Sequence, residues 1–183
     1  MGQYYLIVIL GEKSDKSNKS DKEYIRTYLD PTMYINGMKL TEHSYIGNNF
    51  MKIVENLIGP SGMFHKSRIV WAGDYADAEL NSESNLNGMC RTNTPFVYNE
   101  PVVSYTYIVN HTKKVYVKKN NEMYIVASEQ LVFHPLALLT AEGNGRGGGD
   151  YNGPNKDMVG TWARDVISME NEAPDYTLIE CVF

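Results

Sequence analysis

The sequence predicts a single α+β domain: an antiparallel-rich mixed sheet with one clear helix against it and long loops. Three observations carry this. Short runs of β-branched and aromatic residues recur along the chain, separated by Gly, Pro, Asn and Asp. One stretch alone, residues 50–58, repeats its apolar positions at spacings of three and four. With 183 residues the chain suits one substantial core.

The elements follow in order. Residues 3–10 are aromatic and β-branched without clean alternation, so a strand buried on both faces is expected. Residues 12–23 are rich in Lys, Ser and Asp and read as a solvated loop. A short strand over 24–29 is broken by Asp30-Pro31-Thr32. A turn at 36–40 leads to Glu42, His43 and Tyr45. The helix follows, with Phe50, Ile53, Val54, Leu57 and Ile58 on one face, Asn48 or Asn49 as N-cap, and Gly59-Pro60 as its stop. Residues 68–73 read as a strand, with Asp74-Tyr75-Ala76-Asp77 leaving its end.

Residues 79–101 are mostly Asn, Ser, Glu, Thr and Pro and read as one long loop, a lid, a binding loop or a disordered insertion. Alternation over 102–110, a turn at Asn110-His111-Thr112-Lys113, and apolar runs at 115–117 and 123–127 predict a three-strand meander. Residues 132–140 fit helix and strand equally. Closing strands are expected at 162–169 and 176–183.

Seventeen basic residues against twenty-two acidic ones give a net charge of −5, which argues against extended nucleic-acid backbone binding. Cys90 and Cys181, at no metal or disulfide spacing, indicate a reducing compartment. No apolar run is long enough to span a membrane, and the opening residues lack a basic, signal-like segment. A cytoplasmic location is therefore expected.

The strongest local signal is the run at 143–150, Gly-Asn-Gly-Arg-Gly-Gly-Gly-Asp, which holds five of the fifteen glycines. Such backbone can approach a ligand closely and present amides to an anion. Arg146 adds a planar donor fork suited to phosphate or carboxylate. A plain flexible linker is the bland alternative, but apolar and Trp-bearing stretches flank the run. Gly143, Gly145 and Gly148 match G-x-G-x-x-G, yet Asn152-Gly153-Pro154-Asn155 follows as a turn rather than a helix, so a Rossmann site is rejected. A P-loop is rejected for want of Gly-Lys-Ser/Thr.

Other constellations are weaker. Asp74, Asp77, Asp150 and Asp165 can hold a divalent metal or do acid–base work if they converge, although Asp also serves turns. Among His43, His65, His111 and His134, His43 beside Glu42 is the best proton-transfer candidate, with structural roles favoured for all four. Of fourteen tyrosines, Tyr45, Tyr75 and Tyr151 sit beside glycine- or carboxylate-bearing motifs and are candidates for stacking on a planar ligand. Trp71-Ala72-Gly73-Asp74 echoes Trp162-Ala163-Arg164-Asp165, which places Trp71 and Trp162 among the candidates as well.

Several of these motifs together, Met1-Gly2-Gln3-Tyr4-Tyr5, the Gly37-Met38-Lys39-Leu40-Thr41-Glu42-His43-Ser44-Tyr45 segment, Trp71-Ala72-Gly73-Asp74-Tyr75-Ala76-Asp77 and the 143–150 run with Gly160-Thr161-Trp162-Ala163, resemble an uncharacterised family of small proteins. It occurs in bacteria and their phages, with distant relatives in fungi. The resemblance supplies no mechanism. It implies that the motifs belong to one shared site and that a phage or mobile-element setting is to be expected.

The leading expectation is a binding protein for a small phosphate-bearing, nucleotide-like molecule. In a phage setting, in the host cytoplasm, it would sequester a defence signal. Asn144, Gly145, Gly147, Gly148 and Gly149 would offer amides, Arg146 charge, Tyr75 or Tyr151 a stacking face, and Asp74 or Asp150 contacts to hydroxyls or base. The first competitor is a metal-assisted phosphoester or glycosidic hydrolase using His43, Asp74 and Asp150. The second is a structural module that forms a homo-oligomer through Tyr-rich surfaces.

Overall fold

Tyr5–Leu10 (β1) is buried along its whole length, and its two faces enter different cores. Tyr5, Ile7 and Ile9 join the larger cluster, while Leu6, Val8 and Leu10 join a second one. Burial on both sides removes the alternation that a half-exposed strand would show. The computed structural model describes residues 2–11, 25–98, 103–119, 132–144, 151–181 and 183. The loop expected at 12–23, the strand expected at 123–127 and residues 145–150 lie outside the described residues.

Ile25–Leu29 (β2) pairs antiparallel with β1. Asp30 then caps a 3-10 turn over Pro31–Tyr34, its carboxylate accepting from the Thr32 amide at 2.9 Å. A short helix, Leu40–His43 (α1), leads to Asn49–Ile58 (α2). As its spacing predicts, α2 buries Phe50, Val54, Leu57 and Ile58, together with Met51. The Asn48 side chain caps it by accepting from the Phe50 amide at 2.7 Å. Ser67–Gly73 (β3) lies antiparallel to β1, with Ile69 and Trp71 facing α2.

Two expectations need correction here. Residues 79–101 are not one open loop, because Leu86–Cys90 (α3) folds inside them. Its Leu86 and Cys90 cover the second face of β1 and β3. The strand expected over 102–110 is only Tyr107–Asn110 (β4). Before it, buried Tyr105 packs against Gly59, where an added Cβ would stand 2.4 Å from the tyrosine ring. Packing on the helix end draws the chain out of the ladder.

Val115–Lys118 (β5) closes a hairpin with β4. The ambiguous segment resolves as helix Pro135–Leu139 (α4), with proline at its first turn and His134 as cap. Ala141–Glu142 (β6), Val166–Glu170 (β7) and Thr177–Leu178 (β8) complete the sheet. The closing strands are thus shorter than the sequence suggests.

Among the described residues the eight strands form one mixed, mostly antiparallel sheet in the order β2-β1-β3-β7-β4-β5-β8, with β6 also on β3. The molecule is a single-domain α+β fold. One edge of β3 is shared in succession: Ser67 and Arg68 pair with β7, Ile69 bonds Arg164 and Asp165, and Trp71 and Ala72 pair with β6. No helix among the described residues is long and apolar enough to cross a membrane.

Candidate functional site

At one end of the sheet four sequence motifs meet. The Tyr4 amide donates to Asp74 Oδ1 at 2.9 Å, and the Asp74 amide donates back to the Tyr4 carbonyl at 3.0 Å. On the other side of Tyr4 lies Lys39, bridged antiparallel, and the Tyr5 amide donates to the Met38 carbonyl at 2.8 Å. β6 runs parallel to β3, so the two chains leave the sheet together. A Cβ on Gly73 would stand 2.8 Å from the Glu142 carbonyl oxygen and 3.2 Å from the Gly143 Cα, so glycine permits this approach. The beginning of the glycine run therefore lies against the start of the Asp74-Tyr75-Ala76-Asp77 turn.

The run returns at Tyr151, whose ring packs edge-on to Phe133 with centroids 5.4 Å apart. Phe133 is bridged to half-buried Tyr45. The two anchors of the run thus face Asp74 on one side and the Tyr45–Phe133 pair on the other. Gly145, Arg146, Gly147, Gly148, Gly149 and Asp150 lie outside the described residues. Asn144, Tyr75 and Asp77 are exposed, and Asp74 is half-exposed.

Several predicted site residues are instead structural. His43 is fully buried, its Nδ1–H donating to the Gly37 carbonyl at 3.1 Å and its Nε2 accepting from the Trp71 indole N–H at 3.1 Å. Both ring nitrogens are occupied, and burial brings the pKa down to about 4, so His43 is a neutral core group and not a proton donor to solvent. Trp71 and Trp162 both belong to the larger core cluster and offer no stacking face. Their shared tetrapeptide frame is not a structural repeat. Trp71 is in β3, whereas Trp162 is in a turn followed by Arg164 at φ 67°. Tyr151 is core as well: its hydroxyl donates to the Pro154 carbonyl at 2.8 Å, and burial raises its pKa to about 12. Glu42 is exposed but occupied, its carboxylate accepting from the Lys39 amide at 2.9 Å as a capping group of α1.

Asp165 does not converge with Asp74 and Asp77, and Asp150 lies outside the described residues. Asp165 lies beside Ile69 and takes Asn110 Nδ2 at 2.8 Å and the Lys113 ammonium. Five strand positions, roughly 16 Å at strand rise, separate Ile69 from Asp74. Among the described residues no three His, Cys, Asp or Glu side chains gather as a metal site.

Sequence reasoning missed two supports of this end. Buried Asn87, on α3, donates its amide to the Ala72 carbonyl at 2.9 Å and the Tyr4 carbonyl at 3.2 Å. Asn85 donates likewise to the Asp74 and Ala76 carbonyls, at 3.1 and 2.9 Å. The spacing Asn85-x-Asn87 was the available signal, but in a polar stretch it looks like loop composition. The other support is Arg164. Its Nε and Nη2 bond Glu142 at 2.7 and 3.0 Å, and its Nη1 and Nη2 bond Glu79 at 2.9 and 2.5 Å. These carboxylates outweigh its burial and raise the guanidinium pKa, tying β6 to the chain beyond the Asp74 turn.

No protein-family model, no curated protein and no solved structure matches the chain.

Proposed function

We propose that this protein binds a small phosphate-bearing, nucleotide-like molecule at the end of the sheet where β3 and β6 exit together. The observation that supports this most is the side-by-side departure of Gly73 and Gly143, which sets an exposed aromatic-carboxylate turn against the root of the glycine run. Tyr75, 45 % exposed, is the one stacking candidate of the original aromatics that stands open on this turn. In this reading Arg146 supplies charge to the phosphate end, and Asp74 and Asn144 serve hydroxyl or base groups. The proposed setting is cytoplasmic, and in a phage it would be the host cytoplasm, where such a binder removes a nucleotide signal. Described residues of four of the motifs that carry the family resemblance, Tyr4, Lys39, Asp74 and Gly143, lie together at this end, which favours a common role for them.

Calorimetric titration with a panel of mono-, di- and cyclic nucleotides tests the reading. Wild type is expected to bind one class and return it intact after denaturation. Arg146→Ala should weaken binding by roughly ten- to a hundredfold, the worth of a charge-assisted contact. Tyr75→Ala should cost a similar factor through lost stacking, about 1–3 kcal/mol per base. Asp74→Asn keeps the acceptor for the Tyr4 amide and removes only the charge. The reading fails if no nucleotide binds, or if all three variants bind as wild type does.

A further inference from the structure

Away from that end, six side chains form one continuous polar wire across the outer face of β7. Glu170 Oε1 takes two donors, His65 Nε2–H at 2.9 Å and the Ser168 hydroxyl at 2.7 Å. Those donors outweigh its burial and hold Glu170 below the usual carboxylate range, so it is an acceptor throughout. Ser168 has one hydrogen, and it is committed to Glu170. Its oxygen, 2.8 Å from His111 Nε2, must therefore accept, which fixes the proton of neutral His111 on Nε2. Nδ1 is then a bare lone pair facing the Tyr176 hydroxyl at 3.4 Å, and that hydroxyl in turn accepts from Lys114 Nζ at 3.1 Å. The Tyr176 ring packs edge-on to His111, and Lys114 lies over the ring 4.9 Å from its centroid.

We propose that His111 is a proton-operated latch on the C-terminal stretch: neutral, it accepts the Tyr176 hydroxyl and holds β8 in place, and protonated, it lets Tyr176 go. An imidazolium carries hydrogens on both nitrogens, so Nδ1 can meet Tyr176 only as a donor to an oxygen that already accepts from the Lys114 ammonium, which sets a second cation beside the first. The groups around it decide how readily this happens. Burial is the largest influence, and with Lys66 from the turn before β3, His65 from the same turn and Lys114 from its own hairpin it disfavours the charge. Glu170 from β7 alone favours it, and the His111 pKa is lowered on balance. Lys113 of the same hairpin is paired with Asp165. A latched form that takes up the proton less readily than the open form is driven open by acid.

What the latch holds is slight. β8 has two residues, paired parallel to β5 through the Thr177 amide on the Lys114 carbonyl at 3.2 Å and the Ile179 amide on the Tyr116 carbonyl at 2.8 Å. Beyond it Phe183 packs on Tyr151 at 5.9 Å between ring centroids.

Amide hydrogen exchange on the whole protein tests this, corrected for intrinsic rates, with the Trp71 amide as a core reference. Below the ordinary histidine pKa, where the open form is protonated and the latched form is not, protection at Thr177 and Ile179 should fall by roughly tenfold per pH unit, the limit for one linked proton, while Trp71, which opens with the whole core, follows the His43 and His134 protons too. His111→Gln should remove that step. Tyr176→Phe, which keeps the ring but not the hydroxyl, should show weak protection with no step. An identical pH slope in wild type and His111→Gln overturns the proposal. Should the variants fail to fold, the ring nitrogen shifts of wild-type His111 decide: an Nε2–H tautomer at neutral pH supports the latch, and an Nδ1–H tautomer overturns it.

Discussion

Arg164 stands in the left-handed region at φ 67°, which a non-glycine residue rarely adopts, and its side chain explains why it is tolerated. The guanidinium bridges two carboxylates, Glu79 and Glu142, all three groups being only 14–26 % exposed. Removing it leaves two facing negative charges. Arg164→Ala should cost about 2–3 kcal/mol in urea unfolding, and Arg164→Lys should recover less than half, because an ammonium cannot form both forks. His43 gives a second prediction at this scale. A base whose pKa falls on folding binds protons more readily when unfolded, so acid favours unfolding. Its contribution is nil above about pH 7, grows as the pH drops through 6.5, and levels off near 4 at roughly 3 kcal/mol. His134, also lowered by burial, acts with the same sign. Urea midpoints measured from about pH 7 to 4 should flatten in His43→Gln. Neither role is legible in the sequence, because Arg164 is set by carboxylates 22 and 85 positions away and His43 by the Trp71 indole 28 positions away.

Among the elements, those with a local period were legible and those stabilised by distant carbonyls were not. α2 shows its apolar spacing, its Asn48 cap and its Gly59 stop within a dozen residues. α3 shows no such pattern, since Asn-Leu-Asn-Gly-Met-Cys is short, has a glycine mid-helix and sits in a polar stretch where its Asn85 cap reads as loop composition. It forms because Asn85 caps the Gly88 amide at 2.9 Å and Asn87 satisfies strand-end carbonyls in the core. Asn87→Ala should therefore cost about 2–3 kcal/mol, more than an exposed asparagine would, because two hydrogen bonds made by a buried side chain are lost. Hydrogen exchange in this variant should rise first around the Asp74 turn. Glu55 makes the same point within α2. On a helix whose pattern reads as plainly amphipathic, Glu55 is 2 % exposed and Oε1 takes both Lys119 Nζ and His134 Nε2 at 2.6 Å. Burial pushes its pKa up, but these donors outweigh that and hold it low. Glu55→Ala should destabilise by roughly 3–5 kcal/mol, leaving a buried ammonium without its counter-charge.

For the whole molecule, the sequence singled out motifs whose described residues meet at one end of the sheet, and misjudged what most of their side chains do. The exposed parts of the expected site, Asp74, Tyr75, Asp77 and Asn144, do stand at one end of the sheet beside Lys39 and Tyr4. The large aromatics and His43 turn inward, because a sheet covered on both faces needs bulky groups to fill it. A tryptophan beside a glycine and an aspartate reads the same in sequence whether it lines a cleft or plugs a core. Only its position on the β3 face that looks at α2 separates the two.

The shared edge of β3 also sets an order in time. β1 and β3 can pair once about 73 residues have emerged from the ribosome, yet the other edge of β3 stays bare. The Trp71 amide waits for Thr140, and the Ile69 amide waits for Asp165. For nearly a hundred residues of synthesis the growing chain carries an apolar strand with unpaired amides, the condition that invites other chains to add on. Ribosome-stalled chains cut near residue 130 and tethered by a C-terminal linker that fills the exit tunnel should associate with chaperones or with one another, and those cut beyond residue 170 on the same linker should not, which ribosome pelleting and crosslinking would read directly.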